Sequence, residues 1–186
     1  MIIKERKFKG VFEIQLNPHK DKRGFFMRVY DTKLFEKYKI HRNWVQGNHS
    51  LSVEKGVIRG MHFQFPPHSE TKLVRVVHGE IYDVFIDLRK DSPTFGQWDS
   101  IVLSADNKKM IYIPRGFAHG FCTLTENCEI LYKMDNYYSP NSEGSIKWND
   151  PNLKIDWPVN NPILSEKDLK AKSFKEFIKI FEGLKV

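Results

Sequence analysis

The chain has 186 residues, 40% of them hydrophobic and 28% charged, and carries a formal net charge of +7. That length and balance fit a single globular domain spanning 1–186 with a full core, and no run approaches the roughly 20 apolar residues of a membrane span. The basic residues are interleaved with acids, as in SEKDLKAKSFKEF, which argues against a nucleic-acid surface.

The start, MIIKERKFKG, lacks a signal-type apolar run, so a cytoplasmic location is expected. Residues 1–16 alternate apolar and polar and read as strands. NPHKDKRG (17–24) reads as a turn and GFFMRVY as a further strand. Asp31 is a candidate N-cap for a short helix through Leu34, Phe35 and Tyr38. In WVQGNHSLS, period two puts Gln46, Asn48, Ser50 and Ser52 on one polar face, and a strand with a polar face can line a cavity.

The stretch from Gly56 to Gly79 organises the chain, reading as strand, histidine-bearing turn, polar loop and second strand. Arg59, His62, Gln64, His68, Glu70 and Lys72 interrupt its apolar ladder, which points to a solvent-filled pocket. Arg59, His62 and Lys72 place a proton acceptor between two cations, chemistry suited to an anionic substrate with an acidic C–H. Imidazole, with a reference pKa of about 6.5, is a competent base near neutral pH.

Beyond it, EIYDVFIDLR, DSIVLS and MIYIP continue the short strands. PRGFAHGF (114–121) reads as a Gly/Pro turn carrying His119, and CEILYKMDNYY (128–138) as an aromatic strand with Tyr132 and Tyr138. Cys122 and Cys128 read as buried free thiols. SPNSEGSIKWNDPNLKIDWP is irregular. Ser165 then opens a C-terminal helix expected at about 166–182. Many short strands with helices only near the ends predict a mainly β jelly roll or barrel with a few short peripheral helices.

RGMHFQ (59–64), KLVRVVHGEIYDVFIDLR (72–89), DSPTFGQW (91–98), IPRGFAHGF (113–121), WNDPNLKIDWP (148–158) and LSEKD (164–168) make the chain resemble the nucleotide-sugar 3,5-epimerases, from about Gly10 to about Lys172. The type member is dTDP-4-dehydrorhamnose 3,5-epimerase. The resemblance implies a cupin-type double-stranded β-helix, a homodimer, and neither cofactor nor metal. The implied reaction inverts C3 and C5 of a nucleoside-diphosphate 4-keto-6-deoxyhexose through an enolate. Carried over by motif, His62 is the base, Asp168 its partner, Lys72 the enolate stabiliser and Tyr132 the opposite acid. Arg59 binds diphosphate, while Gln46, Asn48, His119, Tyr138 and Lys167 line the sugar and nucleotide pocket. Arg23 and Phe26 are expected to reach the partner subunit's site, and Arg28 belongs to the nucleotide end. Arg28 stands where many members carry glutamate, and Glu70 near where many carry glutamine; both departures mark a branch of the family.

Other readings stay open, some of them raised by the same resemblance. A metal-dependent cupin would use His62 and His119, with Glu70 and His68 rebuilding the set, although Lys72 opposes a cation. The resemblance implies that the same scaffold also carries 3,4-ketoisomerases of nucleotide sugars, and a non-catalytic nucleotide-sugar or carbohydrate-binding module is a further alternative. Asp168 could also serve only as a first-turn helix acid, and Tyr132 as a core aromatic.

Overall fold

Alternation of period two decides which side chains enter this molecule and which stay outside it. The structure, a computed structural model, describes residues 1–186. Along the chain come β1 (Ile2–Glu5), β2 (Phe12–Gln15), β3 (His19–Asp21), β4 (Gly24–Phe26), helix α1 (Thr32–Lys37), β5 (Gln46–Ser52), β6 (Ile58–Gln64) and β7 (Lys72–His78). There follow β8 (Glu80–Asp87), β9 (Trp98–Ser104), β10 (Lys109–Ile113), β11 (Phe117–Thr123), β12 (Cys128–Met134), β13 (Glu143–Ser145), α2 (Glu166–Leu169) and α3 (Phe174–Phe181).

The strands form a six-stranded sheet, β1-β2-β10-β7-β12-β5, and a five-stranded sheet, β13-β6-β11-β8-β9, with β3-β4 as a separate hairpin. The two large sheets close into a jelly roll. Val74, Val76, Ile111 and Ile130 from the first pack between the sheets against Ile81, Phe85, Phe117 and Phe121 from the second. Outside the five-stranded sheet, Met61, Phe63, Val84 and Ile86 are covered by the C-terminal segment through Leu153, Phe174 and Phe177. Outside the six-stranded sheet, Leu73, Met110 and Tyr112 are covered by Phe35 of α1 and by Ile40.

Several local expectations change. The 17–24 stretch is the hairpin rather than a plain turn, and the strand after it stops at Phe26. His62 and His119 sit within strands, not turns, and face each other as register partners across β6 and β11. Gly60 allows that approach: it has φ +139°, and any Cβ on it would lie 2.4 Å from the Gly120 Cα. The aromatic strand ends at Met134, so Tyr138 lies beyond it. The irregular stretch contributes β13 as an edge strand on β6.

The expected helix at 166–182 is two helices. Lys172 is drawn into a bridge with Ile146, which extends the chain there, and Ser173 then starts α3 with its own capping box to Glu176. At α1 the Asp31 side chain accepts from the Leu34 amide, as the sequence suggested.

Phe177 is 2% exposed and meets the Phe63 ring edge-on at 5.5 Å, bracing β6 from behind. Phe177→Ala is therefore expected to lower unfolding stability by about 3–5 kcal/mol, read from urea unfolding; a loss within about 0.5 kcal/mol, as at an ordinary surface site, would contradict this packing role.

Candidate active site

The inner faces of the barrel strands carry apolar side chains over one part of their length and polar ones over the other. Two connected hollows, ≈ 580 Å³ and ≈ 270 Å³, open among the polar ones and share His62, Lys72 and Tyr132 as walls. The larger also takes in Ser50, Ser52, Arg59, His119, Lys167 and Asp168. The smaller takes in Gln46, Asn48, Gln64, Glu70, Tyr138 and Glu143. The polar face expected for β5 is thus an inner face.

His62 comes from the five-stranded sheet, whereas Lys72 and Tyr132 come from β7 and β12 of the six-stranded sheet. Proton acceptor and phenol therefore stand on facing walls. His62 Nε2 lies 2.5 Å from Oδ1 of Asp168, whose side chain is 3% exposed. Burial pushes the Asp168 carboxyl up. The hydrogen bond and charge of His62, the Ser165 hydroxyl and the Gly60 amide outweigh it and hold the carboxyl below its usual range. An ionised carboxylate can only accept, so Nε2 carries the hydrogen and Nδ1 keeps a free lone pair.

Lys72 is nearly buried, with Nζ 3.4 Å from Glu70 Oε1 and 3.5 Å from the His62 carbonyl oxygen. Burial raises the Tyr132 hydroxyl above the ordinary phenol value, against a smaller opposing effect of Arg59. Tyr132 is consequently a protonated donor at neutral pH. Arg59 donates through Nε to Ser52 Oγ at 3.1 Å and through Nη2 to the Leu51 carbonyl at 3.1 Å. His119 Nε2 is 2.8 Å from Oδ2 of the fully buried Asp83. Tyr138 donates to Glu143 Oε2 at 3.0 Å, and Lys167 pairs with Glu143 Oε1.

Of the residues expected at the site, Arg23, Phe26 and Arg28 are not brought to it within this chain. The Arg23 side chain is 89% exposed beside Asp21, Phe26 is 70% exposed, and Arg28 pairs with Asp31 at 3.1 Å. Phe26 and Arg28 line a separate depression with His19 and Lys33. Of the ligand set considered for a metal, His62 and His119 face carboxylates and Glu70 faces Lys72.

Asp83 and Glu143 were not singled out from the sequence. Asp83 had a signal, a charge at an inward position between Ile81 and Phe85 of an alternating strand. Glu143 had none, since it lies in an irregular stretch and meets Lys167 from a distant element.

The family model for dTDP-4-dehydrorhamnose 3,5-epimerase matches residues 5–176, somewhat wider than the motifs suggested. The dTDP-4-dehydrorhamnose 3,5-epimerase of Salmonella typhimurium is 54% identical over 154 residues, 81% of this chain and 83% of that protein. The Bacillus anthracis dTDP-4-dehydrorhamnose 3,5-epimerase, solved with TDP and PPi bound, is similar with a TM-score of 0.91 and 46% identity, covering 93% of this chain and 99% of the other. The Legionella pneumophila dTDP-6-deoxy-D-glucose-3,5-epimerase, in complex with dTDP-4-keto-L-rhamnose, gives a TM-score of 0.92 at 40% identity, covering 100% and 98%.

With its carboxyl depressed in the folded protein, Asp168 stabilises the fold fully above the unfolded value of about 3.9 and loses that contribution as pH falls through the lower folded value. The stability difference between the wild-type chain and Asp168→Asn should shrink below about pH 3.9 in urea unfolding at stepped pH. A difference that stays constant across that range would count against the ion pair.

Proposed function

The chain belongs to the dTDP-4-dehydrorhamnose 3,5-epimerase family, and from that premise we propose that it inverts C3 and C5 of dTDP-4-keto-6-deoxyglucose, with His62 as base and Tyr132 as acid. It is an isomerase of the nucleotide-sugar epimerase type. The observation that carries the residue assignment is the facing placement of a carboxylate-bound imidazole and a protonated phenol on opposite sheets.

The 4-ketone acidifies the hydrogens on both neighbouring carbons. His62 Nδ1 takes the C3 hydrogen as a proton, and the electron pair moves into the C3–C4 bond and onto the ketone oxygen. The Lys72 ammonium steadies that enolate oxygen, a contribution largest in a water-poor site. The phenol of Tyr132 returns a proton to C3 from the other face, which inverts the centre. His62 is left protonated and Tyr132 deprotonated, and exchange with solvent resets both before the same sequence runs at C5. Asp168 stabilises the imidazolium and fixes the ring.

Arg59 binds the diphosphate, with Lys167 completing the cationic wall; Gln46, Asn48, His119 and Tyr138 contact the sugar and nucleotide. Two copies pair, and Arg23, Phe26 and Arg28 serve the pocket of the partner. The exposed Phe25 and Phe26 on the hairpin, and Leu51 and Leu131 on the outer six-stranded face, favour that pairing.

Incubation with dTDP-4-keto-6-deoxyglucose in deuterated water tests this reading. Deuterium is expected at C3 and C5, read by NMR; label at C3 alone would make the enzyme a mono-epimerase. No label with dTDP, CDP or GDP sugars would overturn the reading. His62→Ala should lower exchange by about 10²–10⁴-fold. Tyr132→Phe should keep exchange from the His62 face while losing inversion.

A further inference from the structure

Glu70 lies in the connection leading into β7 and is almost fully buried, its side chain 4% exposed. Its Oε1 is the only carboxylate oxygen within salt-bridge distance of Lys72 Nζ. Its Oε2 is buried and has no hydrogen-bond partner, although the side chain forms part of the wall of the smaller hollow. A buried acceptor left unpaired opposes folding, so the one contact that accounts for a carboxylate here is the pairing of Oε1 with Lys72. Three other acids at the pocket are engaged, Asp168 with His62, Asp83 with His119, and Glu143 with Tyr138 and Lys167; Glu54, at the wall of the larger hollow, lies within salt-bridge distance of no cation and leaves Lys72 to Glu70.

We propose that Glu70 is a positioning residue for the epimerisation, its Oε1 aiming the Lys72 ammonium at the place where enolate charge develops. The inference rests on the role proposed above for Lys72 and deepens it. A lysine stem has four rotatable carbons, and its ammonium can stabilise developing charge only if it is already in place. The His62 carbonyl at 3.5 Å gives one loose constraint on Nζ, and Glu70 Oε1 gives the second. One acceptor comes from β6 and the other from the connection into β7, so together they fix the direction of the side chain. Only one oxygen of Glu70 is used. The need is therefore for an acceptor at that point rather than for a whole carboxylate, and a glutamine amide oxygen could meet it.

The pair Glu70→Met and Glu70→Gln tests this. Glu70→Met keeps the volume and removes the acceptor; kcat should fall by about tenfold to a hundredfold with KM within about twofold. Its thermal midpoint should fall, since the nearly buried Lys72 ammonium loses its carboxylate, so kcat is read well below the unfolding transition. Glu70→Gln should restore most of kcat. In a Lys72→Met background, adding Glu70→Met should change the residual deuterium exchange little, because the two act as one unit. Wild-type kcat in Glu70→Met, failure of glutamine to rescue, or an undiminished effect in the Lys72→Met background would each overturn the proposal. Should Glu70→Met not fold, Glu70→Leu is read in the same comparison. Absence of exchange by the wild-type chain would overturn the functional reading and this proposal together, whereas wild-type exchange that Glu70→Met leaves intact would overturn this proposal alone.

Discussion

The hydrogen bond between His62 and Asp168 joins residues 106 apart in the chain, and the site depends on it. It ties the middle of a barrel strand to a four-residue helix in the C-terminal segment. That helix is too short to hold itself. Ser165 caps it by accepting the Asp168 amide, and bridges between Val57 and Ile163 and between Ile146 and Lys172 pin its flanks to the barrel. The same segment seals the outer apolar face of the five-stranded sheet through Leu153, Phe174 and Phe177. One irregular C-terminal segment therefore both covers the core and supplies the carboxylate that meets His62.

The barrel interior is divided in the same economical way. Strands pack apolar residues inward over part of their length and then, without a change of period, present Lys72, Tyr132, His62 and His119. Most of the charges placed there have a partner. Asp168, Asp83 and Glu143 are each hydrogen-bonded to a side chain that lines the pocket. Burial acts differently on the groups that matter: it leaves Asp168 ionised because His62 opposes it, and keeps Tyr132 protonated because only Arg59 does. An ionised partner on one wall and a neutral donor on the other follow from environment rather than from residue type.

Much of this was legible in the amino-acid order, and the failures have local causes. The polar face of β5 followed directly from alternation at Gln46, Asn48, Ser50 and Ser52. The α1 cap followed from Asp31. PRGFAHGF misled because its proline and first glycine do turn the chain, whereas Gly120 sits inside β11 to admit Gly60. The C-terminal periodicity was real at Phe174 and Phe177, but a bridge from Ile146 broke the helix at 170–173, and no local pattern announces such a contact. The partnership of Asp168 with His62 came only from the family resemblance, for the same reason. Glu70 was visible as an odd residue two positions before Lys72, but neither its burial nor the bend of its Oε1 toward Nζ is written in a local pattern; both follow from how the connection between the two sheets folds.

The central claim is that Asp168, as a carboxylate, holds the hydrogen on Nε2 of His62 and so leaves Nδ1 as the base. Nitrogen-15 NMR of histidine-labelled protein tests it most directly, followed above the pH at which the ring titrates. The expected result is a protonated-type signal for Nε2 and an unprotonated-type signal for Nδ1, with that preference weakened in Asp168→Asn. The reverse assignment, with the hydrogen on Nδ1 in the wild-type enzyme, would contradict the account.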